Sequence, residues 1–206
     1  KPTQYAVRSM NAAGIQPDII IARAPVPMDD QRKKKLALLC NLSERDIISA
    51  PDVSAIYEVP VNFEREHLGD RLIEKFELRR RRRALGSWKV LVRRIRGVKR
   101  PVRIGIVGKY FGTGNFTLAD SYISVIEALK HAAWHHGRKP ELTWLDAETY
   151  EATPSALKEL AGFDGIVVPG GFGERGVEGK IKAIEYVRKH GIPYLTLWAL
   201  STENLK

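Results

Sequence analysis

Cysteine is almost missing from this sequence: Cys40 stands alone among 206 residues. A single thiol excludes an internal disulfide framework and any multi-cysteine metal site, and it fits a reducing, cytoplasmic compartment. Long apolar runs are missing too. Stretches such as Ile19–Ala22 are far too short to span a bilayer, so no membrane role is expected. No apolar leader is visible: the chain opens Lys1-Pro2-Thr3-Gln4 without a Met and reads as cut from something longer. None of the five His residues has Cys or acid partners at metal-ligand spacing, so no metal site is expected within the chain. Acid is absent from one segment. Residues 79–103 hold 12 of the 34 Lys and Arg residues and no Asp or Glu, whereas the rest of the chain carries 22 basic and 24 acidic residues. The net charge of +10 therefore belongs to that segment, and a uniformly basic nucleic-acid-binding domain is disfavoured.

What is present reads as a globular α/β chain, 44% hydrophobic and 28% charged. Pro2 suits the first turn of a helix that Gly14 closes, with Val7 and Met10 as its apolar face. Residues 18–24 form an apolar strand. A helix follows over 29–39, ending in Leu36, Leu38 and Leu39, and then a strand over 47–49. The spacing over 63–76 predicts one helix, weakened at Gly69. Residues 79–100 read as a basic linker, part of which could form a docked helix through Val90, Leu91, Val92 and Ile95. Beyond it, strands over 102–107, 142–145, 165–168 and 193–197 alternate with helices over 119–136, 154–160 and 177–190. Such alternation implies parallel sheets with helices on both faces, and ligands at the carboxyl ends of the strands.

Four features invite chemistry. Lys1-Pro2-Thr3-Gln4 offers a cation, two polar side chains and unpaired helix N–H groups to an anion, with Lys33, Lys34 and Lys35 as further positive charge. The plain alternative is a capped helix and a solvated lysine run. Gly105–Tyr110 places a glycine and a lysine after a strand, but the spacing of a phosphate-binding P-loop is absent. Val168–Gly176 carries consecutive glycines after a buried strand, where backbone N–H groups can converge on an oxyanion; the alternative is a flexible connection. Finally, a nucleophile is missing. The strand over 193–197 runs into Trp198, and Cys40 lies in the other half at the end of a Leu-rich helix, where it reads as core.

Together and in this order, these pieces resemble the CTP synthases. The stretches 1–4, 14–21, 34–40 and 48–60 look like the later part of their synthetase (amidoligase) domain, the P-loop-like half. The stretches 102–110, 121–132, 163–180 and 191–195 look like the start of their class I glutamine amidotransferase domain. The resemblance implies three parts: 1–78 from the synthetase, 79–100 as linker, and 101–206 from the amidotransferase, with neither domain whole. It implies amination of UTP to CTP, with ATP and glutamine as co-substrates, Mg2+ bound by acids outside these residues and GTP as activator. By similarity, Lys1, Pro2, Thr3, Gln4 and Lys35 contact UTP or CTP, and Pro51, Asp52 and Val53 lie beside the ATP adenine. Gly171 matches the glutamine-contacting oxyanion glycine, and Arg175, Gly176 and Glu178 match the lid. The whole enzyme is expected to be a homotetramer.

Two departures stand out. Where the family carries its catalytic cysteine this chain has Trp198, which has no nucleophile and enough bulk to fill a glutamine site, so the isolated chain is expected to be inactive. The stretch 195–205 resembles a strand motif of the cis-prenyltransferases, although nothing before it does. A different reading is a non-catalytic amidotransferase-like module that touches nucleic acid through residues 79–103; the single aromatic there, Trp88, counts against it.

Overall fold

The computed structural model describes residues 2–79, 85–109, 112–113, 116–117, 122–171 and 174–197. Its internal contacts divide the chain into two units, 1–96 and 97–206.

The first unit is built on two parallel strands, β1 (Ile20–Ala24) and β2 (Ile47–Pro51), paired from Ile20–Ile47 to Ala24–Pro51. Helix α1 (Pro2–Ala12) packs against them through Val7, and α2 (Asp30–Cys40) through Ala37 and Cys40, closing a core with Ile20, Ala22 and Ile47. Met10, expected on the inner face of α1, is exposed. In α2 the inward positions are Ala37 and Cys40, three apart, which turns Leu38 and Leu39 outward at 84% and 53% exposure. Asp29 caps α2 by accepting from Arg32 N at 2.7 Å, and Asn41 ends it in the left-handed region at φ 53°.

The single helix expected over 63–76 is two, α3 (Val59–Arg65) and α4 (Leu68–Lys75). The break falls at His67 (φ 57°), and Gly69 lies inside α4. The reason is the preceding residue. The Glu66 carboxylate accepts from Lys33 Nζ at 2.6 Å and from Ser49 N at 2.9 Å, which ties this point of the chain to β2 and α2. In the basic stretch, residues 86–97 form helix α5 (Gly86–Gly97). It packs within the first unit: Val92 is buried, Trp88 Nε1 donates to the Tyr57 carbonyl at 2.6 Å, and Lys89 and Arg96 pair with Glu64 and Glu58.

The second unit is a four-stranded parallel sheet in the order β6-β3-β7-β8, formed by β3 (Pro101–Gly108), β6 (Lys139–Asp146), β7 (Gly165–Val168) and β8 (Leu195–Leu197). Two short antiparallel strands, β4 (Gly112–Thr113) and β5 (Phe116–Thr117), follow β3. Successive residues of β3 face opposite sides. Ile106 packs under α6 (Ile123–His135) with Tyr122 and Ile126. Val107 packs with Tyr150 of α7 (Ala147–Ala152), Leu160 of the 3-10 helix Pro154–Gly162, and Ala183 and Val187 of α8 (Val177–Lys189). Helices thus cover both faces, as the alternation implies. Pro140 lies in β6, at the sheet edge where a missing N–H is tolerated, so β6 starts three residues before the apolar run betrays it.

Candidate functional site

In the first unit, β1 leads into α2 and β2 into the segment before α3, so the starts of both connections lie at the carboxyl edge of the strand pair. Pro51, Asp52 and Val53 occupy that edge. Asp52 N donates to the Ala24 carbonyl at 2.9 Å, and its carboxylate accepts from Arg23 Nε at 3.0 Å. Lys33, Lys34 and Lys35 lie in the first half of α2. Lys33 is committed to Glu66 at 2.6 Å, while Lys34 and Lys35 are exposed. Pro2, Thr3 and Gln4 form the first turn of α1, with Thr3 and Gln4 half-buried. Lys1 lies outside the described residues.

In the second unit, β3 sends its connection to β6 on one side, and β7 sends its own to β8 on the other. The crevice between the carboxyl ends of β3 and β7 is therefore the switch point of the sheet, where ligands of such folds bind. A cavity of about 200 Å³ opens there, lined by Lys109 after β3, Pro169, Gly170 and Gly171 after β7, and Val177 and Lys180 of α8. Gly171, expected from the sequence, is thus in the cavity wall. Sequence reading set Lys109 aside together with the rejected P-loop spacing, and it missed Lys180. Lys109 is 4% exposed, and its only sequence signal is the Gly108-Lys109 pair after a strand. Lys180 Nζ donates to the Pro169 carbonyl at 2.7 Å. Burial, and next the like charge of Lys109, hold the Lys180 amine below its ordinary value.

Arg175, Gly176 and Glu178 enter α8 beside this cavity. Gly176 caps the helix at φ +73°, and a Cβ there would lie 3.1 Å from Lys109 Cβ. Arg175 pairs with Glu148 of α7, and Glu178 is exposed in the first turn of α8. Trp198 lies outside the described residues; the parallel pairing of β8 with β7 runs to Leu197, opposite Val168. Cys40, as expected, is core: it is 2% exposed, and burial pushes its thiol up. Among the described residues no three His, Cys, Asp or Glu side chains gather to hold a metal ion. No helix among them is long and apolar enough to cross a membrane.

Comparison with known proteins follows the same division. Residues 1–78 match the family model "CTP synthase N-terminus" and residues 117–197 match "Glutamine amidotransferase class-I". CTP synthase of Carboxydothermus hydrogenoformans is 46% identical over 197 residues, 96% of this chain and 36% of the relative. That of Pyrococcus furiosus is 44% identical over 195 residues, 95% of this chain and 35% of the relative. That of Listeria innocua is 40% identical over 196 residues, 94% and 35%. Over nearly its whole length the chain is similar to the CTP synthases. It spans about a third of the length of these curated relatives. A solved structure of the glutaminase domain of Trypanosoma brucei CTPS, with bound acivicin, is 40% identical over 45% of this chain and 34% of that one, at a TM-score of 0.40.

Proposed function

We propose that these residues serve an enzyme that aminates UTP to CTP. The observation that carries the reading is the switch-point cavity between Lys109 and Gly170–Gly171, in a chain whose two family matches occur in the order synthetase, then amidotransferase. ATP phosphorylates the 4-oxygen of UTP, which turns a poor leaving oxygen into a good one. Ammonia released from glutamine then displaces the phosphate. Lys1, Pro2, Thr3, Gln4 and Lys35 serve UTP or CTP, and Pro51, Asp52 and Val53, at the carboxyl edge of β1 and β2, serve the adenine of ATP. In the second unit the glycine turn supplies N–H donors to the oxyanion formed on the glutamine amide, and Arg175, Gly176 and Glu178 serve as the lid that answers GTP. The described residues offer no acid cluster for magnesium, so no step is assigned to that ion. We place the enzyme in the cytoplasm as a homotetramer. The basic segment joins the synthetase part, 1–78, to the amidotransferase part, 101–206.

Trp198 occupies the place of the nucleophile, so glutamine cannot form a thioester there. Whole protein carrying these residues is expected to make CTP from UTP and ATP with free ammonia, but not with glutamine. Substituting W198C is expected to restore the glutamine-dependent rate. Glutamine-dependent CTP formation with Trp198 in place would overturn the assignment of that position, and no CTP from ammonia would overturn the function.

A further inference from the structure

We propose that Lys180 and Tyr122 are positioning residues that set the direction of the N–H donors in the Pro169-Gly170-Gly171 turn. The inference rests on reading that turn as the oxyanion loop. Its physical basis is the planar trans peptide, in which a carbonyl and the N–H of the next residue point in opposite directions. No peptide bond among the described residues is cis. Lys180 Nζ, from α8, donates to the Pro169 carbonyl at 2.7 Å. That contact fixes the plane of the 169–170 peptide and aims the Gly170 N–H away from α8's ammonium. The Tyr122 hydroxyl, at the start of α6, reaches the Gly170 carbonyl at 3.5 Å, the outer limit of a hydrogen bond. That contact does the same for the 170–171 peptide and the Gly171 N–H. The two anchors come from helices on opposite faces of the sheet, so the glycine turn is held from both sides.

Glycine needs this help. With no Cβ, a Gly-Gly turn has the widest choice of backbone directions, and an oxyanion hole depends on one of them being fixed before the charge develops. The Lys180 contact is charge-assisted and partly shielded from water, the stronger of the two anchors. A neutral residue of similar length at 180 fills the space but cannot donate. Arg can donate, so K180R is the conservative rescue and K180M the loss.

The test is nuclear magnetic resonance on the 206-residue chain labelled with 13C and 15N. In the wild type, a scalar coupling across the hydrogen bond between Lys180 15Nζ and the Pro169 carbonyl 13C is expected; its absence overturns the assignment without any variant. In K180M the Pro169 carbonyl resonance moves upfield. The Gly170 and Gly171 amides exchange with solvent about tenfold faster, the scale of losing one charge-assisted hydrogen bond, while the amides of β7 keep their protection. K180R restores both values, and Y122F loosens Gly171 more than Gly170. Equal behaviour of K180M and the wild type, or failure of K180R to rescue, sinks the proposal. None of these readouts involves glutamine, so the loop geometry and the glutamine reading fail or stand separately.

Discussion

At the scale of single residues, two glycines show how the same substitution is expected to cost different amounts. A Cβ on Gly179, inside α8, would lie 1.8 Å from the Ala147 carbonyl oxygen and 2.7 Å from its carbon. Backbone cannot step aside, so G179A forces α7 and α8 apart and is expected to destabilise the second unit by about 3 kcal/mol. A Cβ on Gly105, in β3, would meet Leu145 Cδ1 at 2.6 Å and Ile166 Cδ1 at 2.8 Å. Those are the ends of flexible side chains, and G105A is expected to cost only about 1 kcal/mol. Urea midpoints of the two variants test the order; equal midpoints refute the close backbone contact at Gly179. Cys40 yields a second expectation. Burial raises its thiol pKa and closes off access, so a thiol-reactive dye should label it only as fast as the first unit opens. Rapid labelling under native conditions would show that the face of α2 carrying Cys40 is not closed against Ile20, Ala22 and Ile47.

At the scale of elements, one of the two carboxylates that receive α5 is buried. Glu58 is 5% exposed. Burial alone would raise its pKa, but hydrogen bonds from Ser54 and Arg96, the Arg96 charge and a backbone hydrogen bond at Ala55 outweigh it and lower the value. With the folded pKa below the ordinary 4.5, the stabilisation is complete above that value and is lost as pH falls through the lowered one. E58Q is therefore expected to lose about 1–3 kcal/mol at pH 7 and to show a shallower further loss toward pH 3 than the wild type. Parallel urea titrations of both proteins across that range measure it, and identical pH slopes would remove Glu58 from the account. This docking also marks where sequence reading stops. The four strands of the parallel sheet are legible because apolar runs alternate with Gly and Pro punctuation, and the strand 165–168 is read to the residue, whereas the short strands β4 and β5 and helix α7 are not expected from the sequence. The acids that receive α5 are Glu58 and Glu64, tens of residues upstream, and no local pattern announces them. The break at His67 is hidden for the same reason: its cause is Glu66 reaching Lys33 and Ser49. At the cavity, Gly171 is legible from consecutive glycines after a buried strand, whereas the Lys180 contact spans 11 residues between a helix and a turn and leaves no motif.

At the scale of the whole molecule, the charge of +10 is less concentrated in effect than in sequence. Of the twelve basic residues in 79–103, Lys89 faces Glu64, Arg96 faces Glu58, and Arg103 faces Asp164, whose carboxyl is held low first by the Arg103 backbone N–H. Each of those cations is answered within its own unit, so the segment presents fewer net charges to a polyanion than its composition suggests. Arg93 and Arg94 are exposed on α5, side by side, and are candidates for phosphate contact. Any association with duplex DNA should then be electrostatic, indifferent to sequence, and lost steeply between 50 and 200 mM salt, because each phosphate neutralised contributes about 0.9 to the slope of log K against log salt. Replacing Arg93 and Arg94 by Ala should lower that slope by about 2 if both touch phosphate. Fluorescence anisotropy with two duplexes of unrelated sequence, titrated across that salt range, measures both quantities. Salt-resistant or sequence-selective binding would instead mark the segment as a dedicated nucleic-acid site.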